Sequence, residues 1–424
     1  MKFGLNFTIK NNFVRNILIL TTGTTVVQLI NILLTPILTR IYSPADFGIY
    51  GTYNSVLSIL MVVSVFKLEL VIPIVEDNSL INLLTLSLII NTCFSFATVL
   101  VIFCLKFTNF KINLLSDIWI IPIGILGAGT YNIFSYYHIR QKNFKLINKS
   151  LVFQSITKNI FQIVLGFLKF GSIGLNSGLI GNYSAGILTL AREKLPLIKA
   201  NFKSKTLRTD SKHLLVKYKR FPLYLTISGL FNSIGLYIPT PFIIWLYGKD
   251  IAGYYAFTVT IVSMPLKIIG TAIGQVFLSE AADLYRNNVK GISILYKKIL
   301  YKLILIAIPL TIITEIWAPN IFKIVFGLRW QEAGKYVQLL MIGYAFQFVS
   351  SPLSQIINIL EKQAIQLQWD FIRVILIAGA FASCYFFHLD IFQCLKLLCV
   401  VYTISYIYLM LLCWYFALNY DKRK

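Results

Sequence analysis

The chain has 424 residues, a mean hydropathy of +0.74, 57% apolar residues and only 13% charged ones. Water cannot solvate so much apolar surface, which excludes an ordinary soluble fold and points to a bilayer. The formal net charge of +23 would suit nucleic acid, but the basic residues sort by side of a membrane instead of forming one patch, and that partner is excluded.

A spanning helix needs about 20 mostly apolar residues to cross roughly 30 Å of hydrocarbon. Twelve runs qualify: 16–39, 47–72, 80–105, 118–139, 147–168, 173–191, 221–246, 252–278, 299–318, 336–358, 365–388 and 391–417. With the N-terminus in the cytoplasm, 27 Lys and Arg fall on inner segments and nine on outer ones. An even helix count then places both termini in the cytoplasm. The remaining three, Lys158, Lys267 and Arg373, fall inside predicted spans.

In chain order, Phe3, Phe7 and Phe13 among Lys2, Lys10 and Arg15 read as an interfacial lead-in. The first run is too long for a signal-peptide core and no small-residue cleavage site follows it, so it is expected to be retained as a helix. It carries a polar stripe, Thr21, Thr25, Gln28, Asn31, Thr35 and Thr39, which keeps one helical face polar. Thr35 to Gly51 then closes the first run and opens the second. A second copy, Thr240 to Ala256, stands 205 residues later with five identities in seventeen positions, pairing Thr35 with Thr240, Pro36 with Pro241, Tyr42 with Tyr247, Gly48 with Gly253 and Tyr50 with Tyr255. A weaker echo pairs Val65-Phe66 and Glu69 with Val276-Phe277 and Glu280. Six helices per half make this a parallel repeat.

The fifth span has Gln154, Lys158 and Gln162 at i, i+4, i+8, flanked by Ser155 and Asn159. Between the sixth and seventh spans lies the longest connection, Arg192 to Arg220, which is strongly basic and reads as a solvated linker near anionic headgroups. It divides the chain into an N-terminal six-helix bundle (1–191), a linker (192–220) and a C-terminal six-helix bundle (221–424). Further stripes follow: Thr260, Ser263, Lys267, Thr271 and Gln275; Gln347, Ser351, Ser354 and Asn358; Gln366, Asp370 and Arg373. Each stripe alone could be structural glue between helices. Five striped helices together suggest a shared wet lumen.

A charge at mid-membrane on a lone helix costs about 2.5–3.5 kcal/mol on the insertion scale, so it faces a cavity or a partner. Lys158 and Lys267 have no carboxylate at i±3 or i±4 and are the best candidates for an anionic ligand. Asp370 and Arg373, three apart, can form an ion pair instead. The six cysteines and three histidines are scattered without metal-ligand spacing. No phosphate-cradling loop, Gly-x-Ser-x-Gly or His-Glu-x-x-His occurs, and no outer loop is long enough for a soluble active site. A transporter is therefore expected rather than an enzyme.

The twelve helices in two halves, the segment Pro36 to Tyr50 and the following Leu68-Glu69-Leu70 resemble the polysaccharide flippase (Wzx-type) branch of the multidrug/oligosaccharidyl-lipid/polysaccharide exporter superfamily. The resemblance implies an all-α integral membrane protein of two six-helix bundles around a central, often cationic lumen. It further implies a bacterial cytoplasmic-membrane location and transfer of undecaprenyl-pyrophosphate-linked oligosaccharide units, of O-antigen or capsule type, from the cytoplasmic to the outer leaflet. A polysaccharide polymerase and a chain-length regulator are the partners expected beside membrane lipids. No cofactor is implied beyond a coupling ion, H+ or Na+. The expected lumen residues are Lys158, Lys267, Arg373, Arg40, Gln28, Gln154, Gln162 and Gln275, with Pro36 and Pro241 loosening an outer gate. A cation-coupled multidrug exporter of the same superfamily and a membrane enzyme of polysaccharide assembly are the alternatives.

Overall fold

The computed structural model describes residues 12–106, 117–192, 196, 198, 201, 207–219, 221–287 and 289–423. The lead-in residues Phe3 to Lys10 fall outside this set, as do the side chains of 12–21, of 207–209, of Leu266 and of the candidate Lys267. Among the described residues the regular structure is helical throughout. The first half comprises α1 (Asn12–Ile41), α2 (Pro44–Ser64), α3 (Asp77–Lys106), α4 (Ile121–Arg140), α5 (Phe144–Phe167) and α6 (Ser172–Leu190). A short α7 (Leu207–Lys217) follows. The second half comprises α8 (Thr226–Tyr237) with α9 (Pro239–Tyr247), α10 (Lys249–Arg286), α11 (Ile292–Phe326), α12 (Gln331–Leu353) with α13 (Gln355–Ile359), α14 (Gln363–Phe386) and α15 (Ile391–Arg423).

Among the described residues, eight helices are long and apolar enough to cross a membrane, and ten spans result if each of two bent pairs counts as one. The other two predicted spans are α5 and α6. Gln154, Lys158, Asn159 and Gln162 dilute the apolar character of α5; Asn176, Asn182 and several glycines dilute that of α6. The two pack against each other, with Gln154 bonded to Asn182 and Gln162 to the Leu175 carbonyl between them, while Asn159 turns toward α1. Their polarity is thus turned inward, where lipid does not meet it.

The two copies of the repeat form equivalent turns by different local chemistry. In the first, Ser43 caps α2 in a capping box with Asp46, and Pro44 supplies a preset φ at the first helical position. In the second, Gly248 occupies the place of Ser43 at φ +90°, a conformation glycine adopts without the penalty of a Cβ. Tyr42 donates to the Gln162 carbonyl at 2.6 Å and its counterpart Tyr247 to the Leu389 carbonyl at 2.9 Å. Each copy is thereby tied to a later part of its own half.

The prolines do not act symmetrically. α1 runs unbroken through Pro36 to Ile41. The seventh span bends by 41° between α8 and α9, at Ile238–Pro239, two residues before Pro241. The missing N–H of Pro239 falls in the first turn of α9, where no intrahelical partner is lost, so the bend settles there.

The linker is also more ordered than its charge suggests. In α7, Leu214 is buried in the core of the first half beside Val71, Leu80 and Leu84. Asp210 accepts from Asn82 at 2.8 Å and Lys217 pairs with Glu76 at 2.6 Å. One apolar contact flanked by two polar ones docks the helix onto the first half, so this part of the linker is not a free tether.

The halves meet most extensively at the end of the bundle opposite Arg423, and on one side α2 also packs along α8, where Gly229 faces Val62 and Lys67. At the end opposite Arg423, Leu38, Tyr42, Phe47 and Leu175 of the first half join the main apolar core of the second. Phe47 packs edge-on against Phe257 at 5.5 Å and Trp330 at 4.9 Å, while the Trp330 indole donates to the Thr39 carbonyl at 2.9 Å. α2 and α10 approach most closely at Gly48 and Gly253. A methyl group built on Gly48 would overlap the Lys249 carbonyl oxygen, and one on Gly253 would overlap that of Pro44. Side-chain-free surfaces let the two backbones meet, as small residues do between membrane helices.

Candidate functional site

Below this junction the halves diverge around a cavity of about 750 Å³. Leu38, Phe47 and Phe257 stand at its closed end; Gln275, Leu278 and Gln355 line its other reach, nearer the terminus-bearing end of the bundle. The wall is mixed. Gln28, Asn31, Thr35, Asn54, Asn159 and Gln162 come from the first half, and Thr260, Ser263, Thr271, Gln275, Gln347 and Ser351 from the second. Tyr50, Tyr237, Tyr344, Tyr402 and Tyr406 add aromatic faces and hydroxyls.

Lys158 is the one charged residue lining the cavity among the described residues, and neither a hydrogen bond nor an ion pair holds it there. The wall around it is braced. The Asn159 amide donates to Asn31 Oδ1 at 3.1 Å and to the Ser155 carbonyl at 2.7 Å, joining α5 to α1. Gln162 donates to the Leu175 carbonyl at 3.0 Å and leaves its Oε1 without a partner among the described residues. An unpaired ammonium half-buried in a membrane protein's interior favours an anion, since nothing else nearby offsets its charge.

Arg373 is placed differently. It and Asp370 are 2% and 1% exposed, and their ion pair measures 3.0 Å. The guanidinium also donates to the Asn232 carbonyl at 3.1 Å and the Tyr406 hydroxyl at 3.3 Å, and stacks over Trp369 at 4.4 Å. Asp370 accepts further from Asn232 at 3.0 Å and Gln366 at 3.3 Å. The pair is internally neutral and lies behind the cavity wall, screened by Gly235 and Tyr406. Of the five polar stripes, the one on α14 therefore faces α8 and α15 and does not line the lumen.

The remaining candidates divide in the same way. Gln28, Gln162 and Gln275 line the cavity. Gln154 is buried away from it, donating to Ser150 at 3.0 Å and accepting from Asn182 at 3.3 Å, so it serves the α5–α6 contact. Arg40 is exposed at the far end of α1 and does not reach the lumen. Pro36 and Pro241 are not in the lining. The side chain of Lys267 is outside the described residues, although its neighbours on α10, Ser263, Gly270 and Thr271, all line the cavity. The lining tyrosines went unnoticed in sequence because aromatic residues are common here. The i, i+4 spacing of Tyr402 and Tyr406 on the last helix was the available signal.

Comparison with known proteins agrees with this architecture. A family profile described as "Polysaccharide biosynthesis protein" matches residues 37–335. A Klebsiella pneumoniae protein described as an uncharacterized membrane protein in the cps region is 23% identical over 237 residues, covering 56% of this chain. The chain matches about half of that relative's length, 48%. Among solved structures, an inward-facing multidrug resistance MATE family transporter of the MOP superfamily superposes with TM-score 0.68 at 12% identity, over 95% of each chain. An outward-facing MATE structure gives 0.59 at 13% identity, over 97% of this chain and 96% of that one. A MOP superfamily transporter from Pyrococcus furiosus, whose binding pocket is described as having reverse polarity, gives 0.60 at 14% identity over 94% of each. These likenesses establish the fold: two helical halves in the MOP transporter arrangement.

Proposed function

The chain belongs to the polysaccharide biosynthesis protein family, and on that premise we propose that it is a flippase for lipid-linked oligosaccharide units. The observation that carries this reading is Lys158, a cation without a partner among the described residues, in a cavity of mixed polar and apolar lining sealed at one end. A pyrophosphate headgroup carries the complementary charge, and dragging it through hydrocarbon without such a partner would be prohibitive. Amides and tyrosines around Lys158 offer hydrogen bonds and flat faces to sugars, while an undecaprenyl chain would remain in the lipid outside.

The bias of Lys and Arg supports an orientation with both termini in the cytoplasm, and the family reading fits a bacterial inner membrane. On that orientation the cavity is sealed toward the outside, and the protein is poised to accept substrate from the cytoplasmic leaflet. Export follows by opening the sealed end and closing the other, driven by H+ or Na+. A polymerase and a chain-length regulator would receive the unit on the outer face. Capsule is the favoured product over O-antigen, since the Klebsiella relative is described by a cps region.

A cation-coupled multidrug exporter of the same superfamily is the competing reading, which expects a carboxylate as its cation site, and the cavity lining does not favour it. The described lining carries a lysine and no carboxylate. The deciding experiment expresses the chain in cells lacking their own flippase, alongside a matched set of glycosyltransferases. Restored surface polysaccharide, without altered drug sensitivity, supports the proposal. Continued accumulation of lipid-linked units in the inner leaflet, with the protein present in the membrane, rejects it.

A further inference from the structure

We infer that Gly48 and Gly253 form a two-sided clasp that closes the sealed end of the cavity, such that one methyl group at either position holds that end open. The claim that the clasp opens in use rests on the transport reading; the contact itself does not. In the register of the internal repeat, Gly48 corresponds to Gly253, Pro44 to Lys249 and Gly51 to Ala256. The structure brings these counterparts onto one another. The position a Gly48 Cβ would take overlaps the Lys249 carbonyl oxygen and lies 2.9 Å from the Gly253 nitrogen. A Gly253 Cβ would overlap the Pro44 carbonyl oxygen and lie 3.1 Å from the Gly48 nitrogen. One step along, a Gly51 Cβ would overlap the Cβ of Ala256, its own counterpart.

Each residue thus meets its repeat partner or that partner's neighbour, as in an isologous contact between two copies of one chain. The obstacles are helix backbone carbonyls, which cannot swing aside as a long side chain can. Both lie in the first turns of α2 and α10, where Phe47, Phe257 and Trp330 complete the seal. The Cα–H of each glycine points at a carbonyl across the contact, a weak interaction that recurs between close-packed helices. Backbone contact of this kind is tight when closed and costs little to separate, which suits a gate.

The test uses full-length protein in nanodiscs, with the exposed Cys93 and Cys104 replaced by serine and spin labels on Arg40→Cys and Lys335→Cys, one on each half at the sealed end. Gly48→Ala and Gly253→Ala should each shift the label separation upward, on the order of 5 Å. The double variant should add little to either, because both act on one contact. Gly379→Ala, where a Cβ meets nothing within 4 Å, should leave the distance unchanged and serves as the folding control. Gly51→Ala should widen the gap, and adding Ala256→Gly should restore it by exchanging the methyl across the axis. Unchanged separation in both single variants, or failure of the exchange to restore closure, overturns the clasp. Widened separation with polysaccharide export unaffected leaves the contact standing and overturns its use as a gate, whereas failure of the wild-type chain to restore export overturns the transport reading alone.

Discussion

Lys158 on α5 and Arg373 on α14 are the two described basic residues that the sequence places at mid-membrane, on corresponding helices of the two halves, and the fold uses them in opposite ways. Lys158 lines the shared cavity with no counter-charge among the described residues. Arg373 is enclosed by Asp370, Asn232, Trp369 and Tyr406. One charge remains available to a ligand, and the other is consumed in holding α8, α14 and α15 together. A basic residue inside a span is therefore not by itself a binding residue; a carboxylate three positions away decides its use.

The contrast can be broken most directly at Arg373. Arg373→Ala leaves Asp370 buried and unpaired, which costs about 3–5 kcal/mol, and should deplete folded protein from the membrane, read by immunoblot and thermal denaturation. Wild-type levels and melting would mean the pair is not structural. Lys158→Ala should do the converse. Protein level and melting temperature stay as in wild type, while export falls by about tenfold or more, equivalent to about 1.4 kcal/mol of lost binding; Lys158→Arg should retain most activity. If both variants lose stability, or both lose only transport, the distinction fails.

Smaller effects sharpen it. Tyr42→Phe and Tyr247→Phe each remove one hydrogen bond to a backbone carbonyl and should cost about 1 kcal/mol apiece, measured as equal drops in melting temperature if the two copies of the repeat are equivalent anchors. The smallest effect is expected at Glu69, in the turn beyond α2. This carboxyl is 6% exposed, 4.0 Å from Lys67, with Oε2 unpartnered among the described residues. Burial raises its pKa against the opposing pull of a backbone hydrogen bond and Lys67. A carboxyl with a higher pKa folded than unfolded favours the folded state below its unfolded value, and that contribution disappears as pH rises through the folded value. Glu69→Gln should therefore raise the melting temperature on the order of 1–2 °C near neutral pH and lose that advantage in acid. A gain that grows toward low pH would contradict this account.

Much was legible in one dimension. Each of the twelve predicted runs lies on a helix or a bent helix pair, although α2 ends at Ser64, short of the end of its run at residue 72; apolar segments in lipid satisfy their backbone within helices. The repeat at Thr35 and Thr240 correctly marked equivalent turns. Residues from the stripes on α1, α5, α10 and α12 line the cavity, since helical periodicity fixes which residues share a side. Periodicity does not fix what that side meets. The stripe on α14 has the same spacing as the others, yet it packs against Asn232, 138 residues away from Asp370 in sequence. Gln154 and Gln162 stand two turns apart on one face and both bond α6, yet Gln162 alone of the two reaches the cavity.

Length, hydropathy and helical spacing are local properties of the chain, so a helical membrane protein in two repeated halves with polar helix faces could be read from residue order. Tertiary structure alone decided which cation is free and which is neutralised, that the linker's helix docks on the first half, and that the repeated segments clasp each other instead of facing across open space. Those outcomes depend on pairings between distant residues, such as Gly48 with Gly253 and Asn232 with Asp370, whose distances no local pattern encodes.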